Sequence, residues 1–423
     1  MLATILIIFF VILLMGFPIY IAMGTVAMIW VIGHPAIPSM VLAQKMYGAM
    51  DSFALMAIPF FMLGGQIMER TGITRDIVEF ANTLVGHIKG GIGHTCTLAG
   101  VLMAGISGSA NADATAIGSI LLPALKEDGY ERGFASALVA GAANLGPIIP
   151  PSVIMIIYGS VTGYSVSRLF LGGVLPGLLI AIGYMAITYH YAVKHNMNNR
   201  RFGGWKKVWQ AFKKAIWALI MPLIIIGGIL SGFFTATEAG VVAVFYGLAY
   251  GLIKKKLTLK MLKESLLEAV IAGASPMAII TGSSMLGYAL ARENLSGIVG
   301  NFVTTNINTY WGFYLFILVL CVVAGCFIDC AATMLMLVPV MIPVVQSCGY
   351  NIQQFAIVLI LALLTGNLTP PVGATLFVVC SIDGLPFKQI CKPVIPFVLS
   401  MILVVLLTIA IPGIATFLPS LLG

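Results

Sequence analysis

Two carboxylates, Asp113 and Asp329, lie within long apolar segments, whereas most other acidic residues of this chain lie near polar loops or segment ends. A carboxylate inside apolar sequence is costly to bury and suggests a function. It could attract a cation, accept a hydrogen bond from a substrate hydroxyl or carry a proton. It could also simply cap a helical hairpin by accepting hydrogen bonds from backbone amides. The residues alone leave these roles open.

The sequence around Asp113 has the composition of a cation site. Residues 105–115 read Gly-Ile-Ser-Gly-Ser-Ala-Asn-Ala-Asp-Ala-Thr, and such irregular polar backbone is tolerated at membrane depth only inside protein or beside a wet cavity. Further on, prolines such as Pro150 follow Gly146, remove amide donors and free nearby carbonyl oxygens. A hard cation such as Na⁺ prefers oxygen ligands. The side-chain oxygens of Ser107, Ser109 and Asn111 could complete the coordination shell of the cation, together with the Gly105 carbonyl.

The same arrangement recurs about 220 positions later. There, Gly325 precedes Asp329, and Gly366-Asn-Leu-Thr-Pro-Pro repeats the proline break, with Thr369 placed so that its hydroxyl could join carbonyls at Gly325 and Gly366. Close packing of small residues can explain one such motif. It does not explain the recurrence, which favours two related cation sites. Equivalent positions include Gly105 and Gly325, Pro123 and Pro343, Gly146 and Gly366, and Pro150 and Pro370.

Composition indicates the elements that must position these residues. The 423-residue chain is 60% hydrophobic and 9% charged, with a mean hydropathy of +1.07, which indicates an integral membrane protein. Apolar runs such as 4–32 exceed the roughly 20 residues that a membrane-spanning helix needs. Gly16 and Pro18 are expected to divide that first run into two short spans. The fold class is therefore an all-α polytopic membrane protein in a lipid bilayer.

The net charge of +8 does not indicate a nucleic-acid partner, because the basic residues lie in loops between apolar segments. Cytoplasmic loops collect Lys and Arg, so the basic stretches 194–214, which includes Arg200, and 254–263 are predicted to be cytoplasmic. Tracing the chain from there predicts about ten spans, two re-entrant hairpins and both termini outside. Only Lys45, Arg168 and Arg292 of the 22 basic residues then face outside.

In this topology the two repeats are inverted, as in many alternating-access carriers. The predicted divisions are 1–50, N-terminal scaffold spans; 51–192, the first repeat with a hairpin at about 94–125 and a broken helix at about 131–160; 193–267, an amphipathic linker and a scaffold helix pair; and 268–423, the second repeat with a hairpin at about 310–345 and a broken helix at about 350–380.

Three local features are also predicted. Trp205, Trp209 and Phe212 fall at helical spacing among lysines, which is typical of a helix lying in the cytoplasmic headgroup layer. Residues 71–87 form a second candidate surface helix. Thr235-Ala-Thr-Glu matches a capping box, so Glu238 is expected to cap a helix and to need no substrate.

The sequence does not favour an enzyme. It contains no Gly-x-x-x-x-Gly-Lys-Ser/Thr nucleotide loop and no His-Glu-x-x-His motif. Without a nucleotide site, transport energy is expected to come from an ion gradient. Three alternatives remain open: a stand-alone dicarboxylate/Na⁺ symporter, an ion channel, and an intramembrane enzyme that uses Ser109 or Asp113.

Over nearly its whole length the chain resembles the large membrane subunit of tripartite ATP-independent periplasmic (TRAP) transporters. The resemblance is carried by Gly-Ile-Ser-Gly-Ser-Ala-Asn-Ala-Asp-Ala from Gly105, Gly-Pro-Ile-Ile-Pro-Pro-Ser from Gly146, Pro-Val-Met-Ile-Pro from Pro339 and Gly-Asn-Leu-Thr-Pro-Pro-Val-Gly from Gly366. It implies a multi-pass protein of the bacterial inner membrane and a Na⁺-coupled elevator carrier for organic acids, with a sialic acid favoured. It also implies two partners: a small four-helix membrane subunit, expected as a separate chain, and a soluble periplasmic substrate-binding protein.

Carried onto this sequence, the resemblance places two or more Na⁺ ions at two sites. The first lies near Gly105, Ser107, Asn111 and Gly146, and the second near Gly325, Gly366, Thr369 and Val372. The second hairpin has Phe327, Ile328 and Asp329 where the first has Ser107, Gly108 and Ser109, so its cation is expected to rely on backbone carbonyls such as that of Ile328. The expected substrate contacts are Asp113, Asp329, Ser109, Pro150 and Pro370.

Overall fold

The structure is a computed structural model that describes residues 2–197, 201–307 and 309–422; the predicted cytoplasmic residue Arg200 lies outside them. Within these ranges the chain is helical, with one 3₁₀ turn at Phe53–Met56 and no strand. The helices are numbered in chain order. Before the first hairpin they are α1 (Leu2–Leu14), α2 (Ile19–Ile32), α3 (Met40–Met50), α4 (Ala57–Arg70) and α5 (Ile73–Val85).

The first hairpin and the helices that follow it are α6 (Gly91–Ser107), α7 (Ala110–Glu127), α8 (Arg132–Ala143), α9 (Val153–Thr162) and α10 (Val166–Lys194). The middle of the chain forms α11 (Trp205–Leu230), α12 (Ala236–Ile253), α13 (Leu259–Arg292) and α14 (Leu295–Asn306). The last part forms α15 (Tyr310–Phe327), α16 (Cys330–Ser347), α17 (Ile352–Asn367), α18 (Ala374–Asp383), α19 (Phe387–Cys391), α20 (Ile395–Ala410) and α21 (Gly413–Leu422).

Local sequence explains several helix ends. Gly16 adopts a φ of +84° between α1 and α2, as the predicted break requires. The Thr235 hydroxyl accepts from the amide of Glu238, 3.3 Å away, and the Glu238 carboxylate accepts from the amide of Thr235 at 2.7 Å. This reciprocal pair caps α12 and confirms the predicted capping box.

The two predicted surface helices have different outcomes. Residues 73–85 form the separate helix α5, which packs against α6 and α11. The prediction for Trp205 and Trp209 is wrong in one respect, because α11 runs without interruption from Trp205 to Leu230. The amphipathic segment is the first part of this helix, whose apolar second half continues from it with no intervening turn.

Two hairpins and two broken helices form the centre of the molecule. Gly108, with a φ of +60°, and Ser109 separate α6 from α7, and residues 328–329 separate α15 from α16. Helix α8 ends at residue 143 and α9 begins at 153, while α17 ends at 367 and α18 begins at 374. Both breaks contain a cis Pro-Pro bond, at Pro150-Pro151 and at Pro370-Pro371.

The hairpins enter the molecule from opposite ends of α20. The flank of the first hairpin lies beside the start of α20, since a Cβ built on Gly133 would be 3.1 Å from Pro393 Cγ. The second hairpin begins beside the other end, where the Tyr310 hydroxyl donates to the carbonyl of Ile409 at 2.8 Å. Its return is at the same end, because the rings of Tyr310 and Tyr350 lie 5.6 Å apart. The repeats are therefore inverted.

By length and composition, six helices could each cross a membrane, or eight if each bent pair counts as one span, among the residues described. This is fewer than the predicted ten or so. The difference arises because glycine and proline breaks divide other apolar segments into helices of 10–17 residues, such as Ile352–Asn367 and Ala374–Asp383.

Helices α2, α3 and α4 pack along α13, and α12 packs along α4. We call this group, with α1, α5, α11 and α14, the scaffold. The hairpins and broken helices pack on one another, with α7 against α8 and α18, and α15 against α17. We call that second group, which includes α10 and α19–α21, the hairpin body.

Candidate functional site

Asp113 is fully buried in the first turn of α7, below the tip of the first hairpin. One carboxylate oxygen, Oδ1, accepts from the Ser107 hydroxyl at 2.6 Å. The same hydroxyl oxygen accepts from the amide of Ser109 at 3.2 Å. The other oxygen, Oδ2, has no hydrogen-bond partner and lies where a Cβ on Gly146 would be. Gly146 is therefore needed because it lets this carboxylate reach the broken helix.

A buried carboxylate oxygen without a donor is costly unless a cation or a proton compensates it. Ser107, Asp113 and the break after Gly146 meet here, and they offer hydroxyl, carboxylate and carbonyl oxygens. That ligand chemistry suits a hard cation. Gly105, two residues before Ser107, packs on the scaffold, since a Cβ there would lie 2.8 Å from Pro222 Cβ in α11.

The hairpin tip also packs on the proline break itself. A Cβ on Gly108 would lie 2.6 Å from the carbonyl oxygen of Pro151. The Ser152 hydroxyl donates to the Pro147 carbonyl at 2.5 Å and caps α9 by accepting from the amide of Met155. Tip and break therefore form one packed unit.

The second hairpin meets its broken helix through glycine backbones. A Cβ on Gly366 would lie 2.7 Å from Gly325 Cα and 2.7 Å from the carbonyl oxygen of Val322. The amide of Gly373 donates to the carbonyl of Cys326 at 3.2 Å. Gly325 and Gly366 are thus brought together as predicted by the repeat, with backbone oxygens of both segments nearby.

Thr369 has a different partner from the expected one. Its hydroxyl donates to the carbonyl of Thr365 at 2.6 Å, and its amide donates to the carbonyl of Gly366 at 2.8 Å. The hydroxyl oxygen keeps its lone pairs, and ligation by it stays a prediction. Ile328 is extended between the two hairpin helices, and Val372 is 36% exposed beside the break.

Asp329 caps α16, because its carboxylate accepts from the amide of Ala331 at 2.9 Å. The hairpin-cap role left open by the sequence is therefore present here. The side chain is also solvent-exposed and lines a cavity. The same carboxylate therefore serves as a helix cap and as part of the cavity wall.

This cavity, which we call the central cavity, has a volume of about 130 Å³ and lies between the two hairpin tips. The scaffold closes it with Met62 from α4 and Pro276 from α13. Several of its lining residues occupy equivalent positions of the two repeats: Ser109 and Asp329, Ala110 and Cys330, Asn111 and Ala331, and Pro147 and Asn367. The cavity is therefore built from both repeats at once.

Of the predicted substrate contacts, Ser109 and Asp329 line the central cavity, whereas Pro150 and Pro370 do not. Asp113 does not line it either, because its carboxylate turns towards Ser107 and Gly146. The position of Asp113 suits a cation ligand better than the expected contact with substrate. Asn111, predicted as a cation ligand, instead lines the central cavity with an exposed side chain.

Sequence reasoning missed Pro147, Asn367 and Pro276 in this lining. Asn367 could have been found, since it follows Gly366 directly and lies 220 positions after Pro147. Pro276 carried no signal, because the middle of a long scaffold helix gives no reason to expect contact with a hairpin.

A larger cavity of about 610 Å³ lies further along the same helices, and we call it the vestibule. Ser160 of α9, Ser284 and Tyr288 of α13, and Pro339 of α16 line it, together with Lys45 of α3. The Lys45 ammonium lies 5.4 Å from the centre of the Tyr288 ring. The vestibule lies at the end of the molecule that contains Lys45 and Arg292, which the predicted topology places outside.

Comparison with known proteins identifies the family. Residues 6–414 match the model of the tripartite ATP-independent periplasmic transporter, DctM component. The chain belongs to this family. It is a large permease subunit of a TRAP transporter, which makes it a multi-pass membrane transport protein and not an enzyme. Large permeases of this family work with a small membrane subunit and a periplasmic binding protein.

Among curated relatives of this permease, the sialic acid TRAP transporter large permease protein SiaM of Vibrio cholerae is 37% identical over 90% of this chain and 89% of its own length. The C4-dicarboxylate TRAP transporter large permease protein DctM of Pseudomonas aeruginosa is 32% identical over 90% of each chain. The fold is similar to the crystal structure of the Alcanivorax borkumensis YdaH transporter, with a TM-score of 0.61 and 14% identity over 87% of this chain and 86% of that one.

Proposed function

We propose that this permease imports an organic acid in symport with Na⁺, after a periplasmic binding protein has delivered the acid. The observation that carries the proposal is the Oδ2 atom of Asp113, a buried carboxylate oxygen with no hydrogen-bond donor. A sodium ion between Asp113, Ser107 and the carbonyls near Gly146 would supply the missing charge. The equivalent region around Gly325, Gly366 and Thr369 would hold a second ion.

Cation binding and substrate binding would be coupled because both sites use residues of the same hairpin tip. Ser107 bonds to Asp113 below the tip, and Ser109, two residues away, lines the central cavity. A cation that orders this segment would also order the cavity wall, so cation and substrate would each strengthen the binding of the other.

Movement would take place between the hairpin body and the scaffold. The central cavity lies at their boundary, since α4 and α13 contribute Met62 and Pro276 opposite the hairpin tips. Displacement of the hairpin body along the scaffold would carry the bound acid across the membrane in an elevator mechanism. The vestibule would be the outer access route, and Lys45 would attract the anion towards it.

The lining of the central cavity favours a hydroxylated acid, and we favour sialic acid. Ser109 and Asn111 lie at the N-terminus of α7, where the helix dipole and free amides attract a carboxylate. Asp329 on the other side accepts hydrogen bonds from hydroxyl groups and repels a second carboxylate. The similarity to the sialic acid permease supports the same choice. A cavity of about 130 Å³ must expand to admit such a ligand.

Reconstitution tests the coupling. The permease is placed in proteoliposomes with its small subunit, binding protein is added outside, and uptake of labelled sialic acid is compared under inward Na⁺ and K⁺ gradients. We expect uptake only with Na⁺ and only with the binding protein. Equal uptake under both gradients would remove the proposed symport. Uptake of succinate by the permease alone would instead support a stand-alone dicarboxylate/Na⁺ symporter.

A second experiment tests the substrate without the binding protein. A ligand that binds only the folded protein raises the free energy of unfolding by RT ln(1 + [L]/Kd), so the tighter ligand gives the larger shift at equal concentration. The unfolding temperature of the purified permease is therefore measured in Na⁺ with equal concentrations of sialic acid or succinate. We expect the larger shift with sialic acid. Asp329→Asn, which keeps a capping side chain, is expected to bring the shift in unfolding temperature with sialic acid closer to the shift with succinate. A larger shift with succinate in the native protein would contradict the substrate assignment.

A further inference from the structure

A cavity of about 980 Å³ shares no lining residue with the proposed cation sites or the central cavity. It lies at the end of α10, beside the start of α8 and the segment from α19 to α20. Its volume is at the upper end of the roughly 300–1,000 Å³ typical of small-molecule sites. Its lining includes Ile187, Tyr191, Lys194, Lys388 and Lys392. We call it the basic cavity.

The apolar part of the basic cavity is a wedge between α10 and α20. The two helices touch where Ser400 occupies the space beside Gly183. From this contact they diverge towards the basic end, and the gap is lined by Ala186 and Ile187 on one side and by Pro393 and Pro396 on the other. Flanking apolar side chains are exposed on both helices: Leu178, Ile182, Tyr189, Ile395, Leu399 and Leu403.

An aromatic stack forms the floor. The rings of Phe134 and Tyr191 are stacked with centres 3.7 Å apart, and the rings of Tyr191 and His195 are stacked at 4.0 Å. The Tyr191 hydroxyl accepts from the amide of Glu131 at 3.3 Å. These contacts fix the wall of the cavity before any ligand binds.

The charged part is cationic. Lys194, Lys388 and Lys392 line the opening, and Glu131 is the only acidic residue among the lining side chains described. Within the described ranges none of these three lysines forms an ion pair, whereas Lys126, Lys214 and Lys254 each pair with a carboxylate. The three lysines therefore present uncompensated positive charge above an apolar wedge.

Lysines at helix ends often do no more than mark the cytoplasmic boundary, with their ammonium groups extended into water. That explanation does not account for the convergence observed here. Lys194 ends α10, whereas Lys388 and Lys392 precede α20, yet all three lysines surround the same opening. Basic pockets between spanning helices on the cytoplasmic side suit anionic lipid headgroups.

We propose that the basic cavity binds an anionic phospholipid of the cytoplasmic leaflet, with its phosphate among Lys194, Lys388 and Lys392 and an acyl chain in the wedge beside Ala186. The amphiphilic shape of the site, a cationic opening over an apolar gap that continues into exposed apolar helix faces, matches a phospholipid. A small inorganic anion would leave the wedge without a partner.

Native mass spectrometry of the purified permease, titrated with phosphatidylglycerol or phosphatidylcholine, tests this proposal without depending on transport. We expect one phosphatidylglycerol molecule to be retained with preference over phosphatidylcholine. Each nearby lysine strengthens the attraction about five-fold, so Lys194→Gln, Lys388→Gln and Lys392→Gln together should weaken retention on the order of 100-fold. The matched control carries Lys206→Gln, Lys260→Gln and Lys263→Gln, which remove the same charge elsewhere on the surface.

A steric variant distinguishes lipid binding in this cavity from attraction by general surface charge. Ala186→Phe fills the wedge without changing charge and should also abolish preferential retention. The proposal is overturned if the control triple variant loses the lipid as strongly as the cavity variant, or if Ala186→Phe retains it normally. It is also overturned if inorganic phosphate displaces the lipid, since the site would then recognise a free anion.

Discussion

Replacing Asp113 with asparagine would test the first proposed cation site directly. The side chain is fully buried, and its Oδ1 atom accepts from the Ser107 hydroxyl at 2.6 Å. Asparagine has the same shape and keeps an oxygen for that hydrogen bond. The substitution therefore removes the charge and leaves the hairpin geometry in place.

The expected loss of Na⁺ affinity in Asp113→Asn can be calculated from electrostatics. Two unit charges 4 Å apart interact by about 4 kcal/mol at an effective dielectric constant of 20. The neutral amide oxygen still acts as a ligand, so about half of this, roughly 2 kcal/mol, is expected to be lost, which corresponds to about 30-fold weaker Na⁺ binding. The Na⁺ concentration that gives half-maximal uptake should rise by that factor.

The assay is a sodium titration of uptake in proteoliposomes at saturating substrate and binding protein. Asp329→Asn is the matched control, because it removes the same charge at the other hairpin tip, where the carboxylate caps α16 and lines the central cavity. This control should change the Michaelis constant for substrate and leave the sodium titration near that of the native protein. A native sodium titration for Asp113→Asn in folded protein would refute the assignment.

Three further outcomes are expected. Thr369→Val removes one candidate oxygen ligand and should weaken Na⁺ binding about ten-fold, whereas Thr369→Ser should behave like the native protein in the same titration. Equal effects of the two substitutions would exclude the Thr369 hydroxyl as a Na⁺ ligand. Lys45→Gln should raise the Michaelis constant about five-fold at low ionic strength and less at high salt, with Lys206→Gln as control; an effect independent of salt would exclude electrostatic attraction. Asp383→Asn removes a buried partner of Lys126 and should lower stability by about 2 kcal/mol in thermal unfolding; unchanged unfolding would show that the pair contributes nothing.

Gly366 is a less suitable test position than the sequence suggests. A valine there would place its Cβ 2.7 Å from Gly325 Cα, so the packing of α15 on α17 would fail together with any cation site. A loss of function in Gly366→Val would therefore say nothing about sodium. Thr369 tests the same region without disturbing that contact.

Local chemistry explains which parts of the fold could be predicted. The break at Gly16, the capping box of Thr235 and Glu238, and the proline breaks at Pro150 and Pro370 are each determined by a few adjacent residues. The internal repeat places the same glycines and prolines in the sequence a second time, which strengthens each prediction. The paired hairpins and broken helices follow from these features together.

The remaining features depend on contacts between distant segments. Asp383 is buried between Lys126 and Arg132 of the other repeat, although in the sequence it ends a short helix in a polar loop. Asp113 and Asn111 are two positions apart, yet Asp113 faces the proposed cation site and Asn111 faces the central cavity. Residues two positions apart point to different faces of a helix, which the sequence predicts. Which face meets which site depends on the segments packed around the helix, which the sequence does not show.

The relation between the repeats predicts a stoichiometry. The Asn144 side-chain amide donates to the carbonyl of Leu364 at 2.9 Å, and these residues are 220 positions apart, the offset of the repeat. Equivalent positions that touch must lie close to the symmetry axis. The central cavity lies on the same axis, because Ser109 and Asp329 both line it.

One substrate on the axis and one proposed cation site on each side predict at least two Na⁺ ions per substrate. The stoichiometry is read from the Na⁺ gradient that balances a fixed opposing substrate gradient with no net flux. Two ions per substrate should balance a 100-fold substrate gradient with a ten-fold Na⁺ gradient at zero membrane potential, since equal free energies require the ratio to be squared. Balance at a 100-fold Na⁺ gradient would mean one coupled ion, and the two sites would then not act on the same substrate.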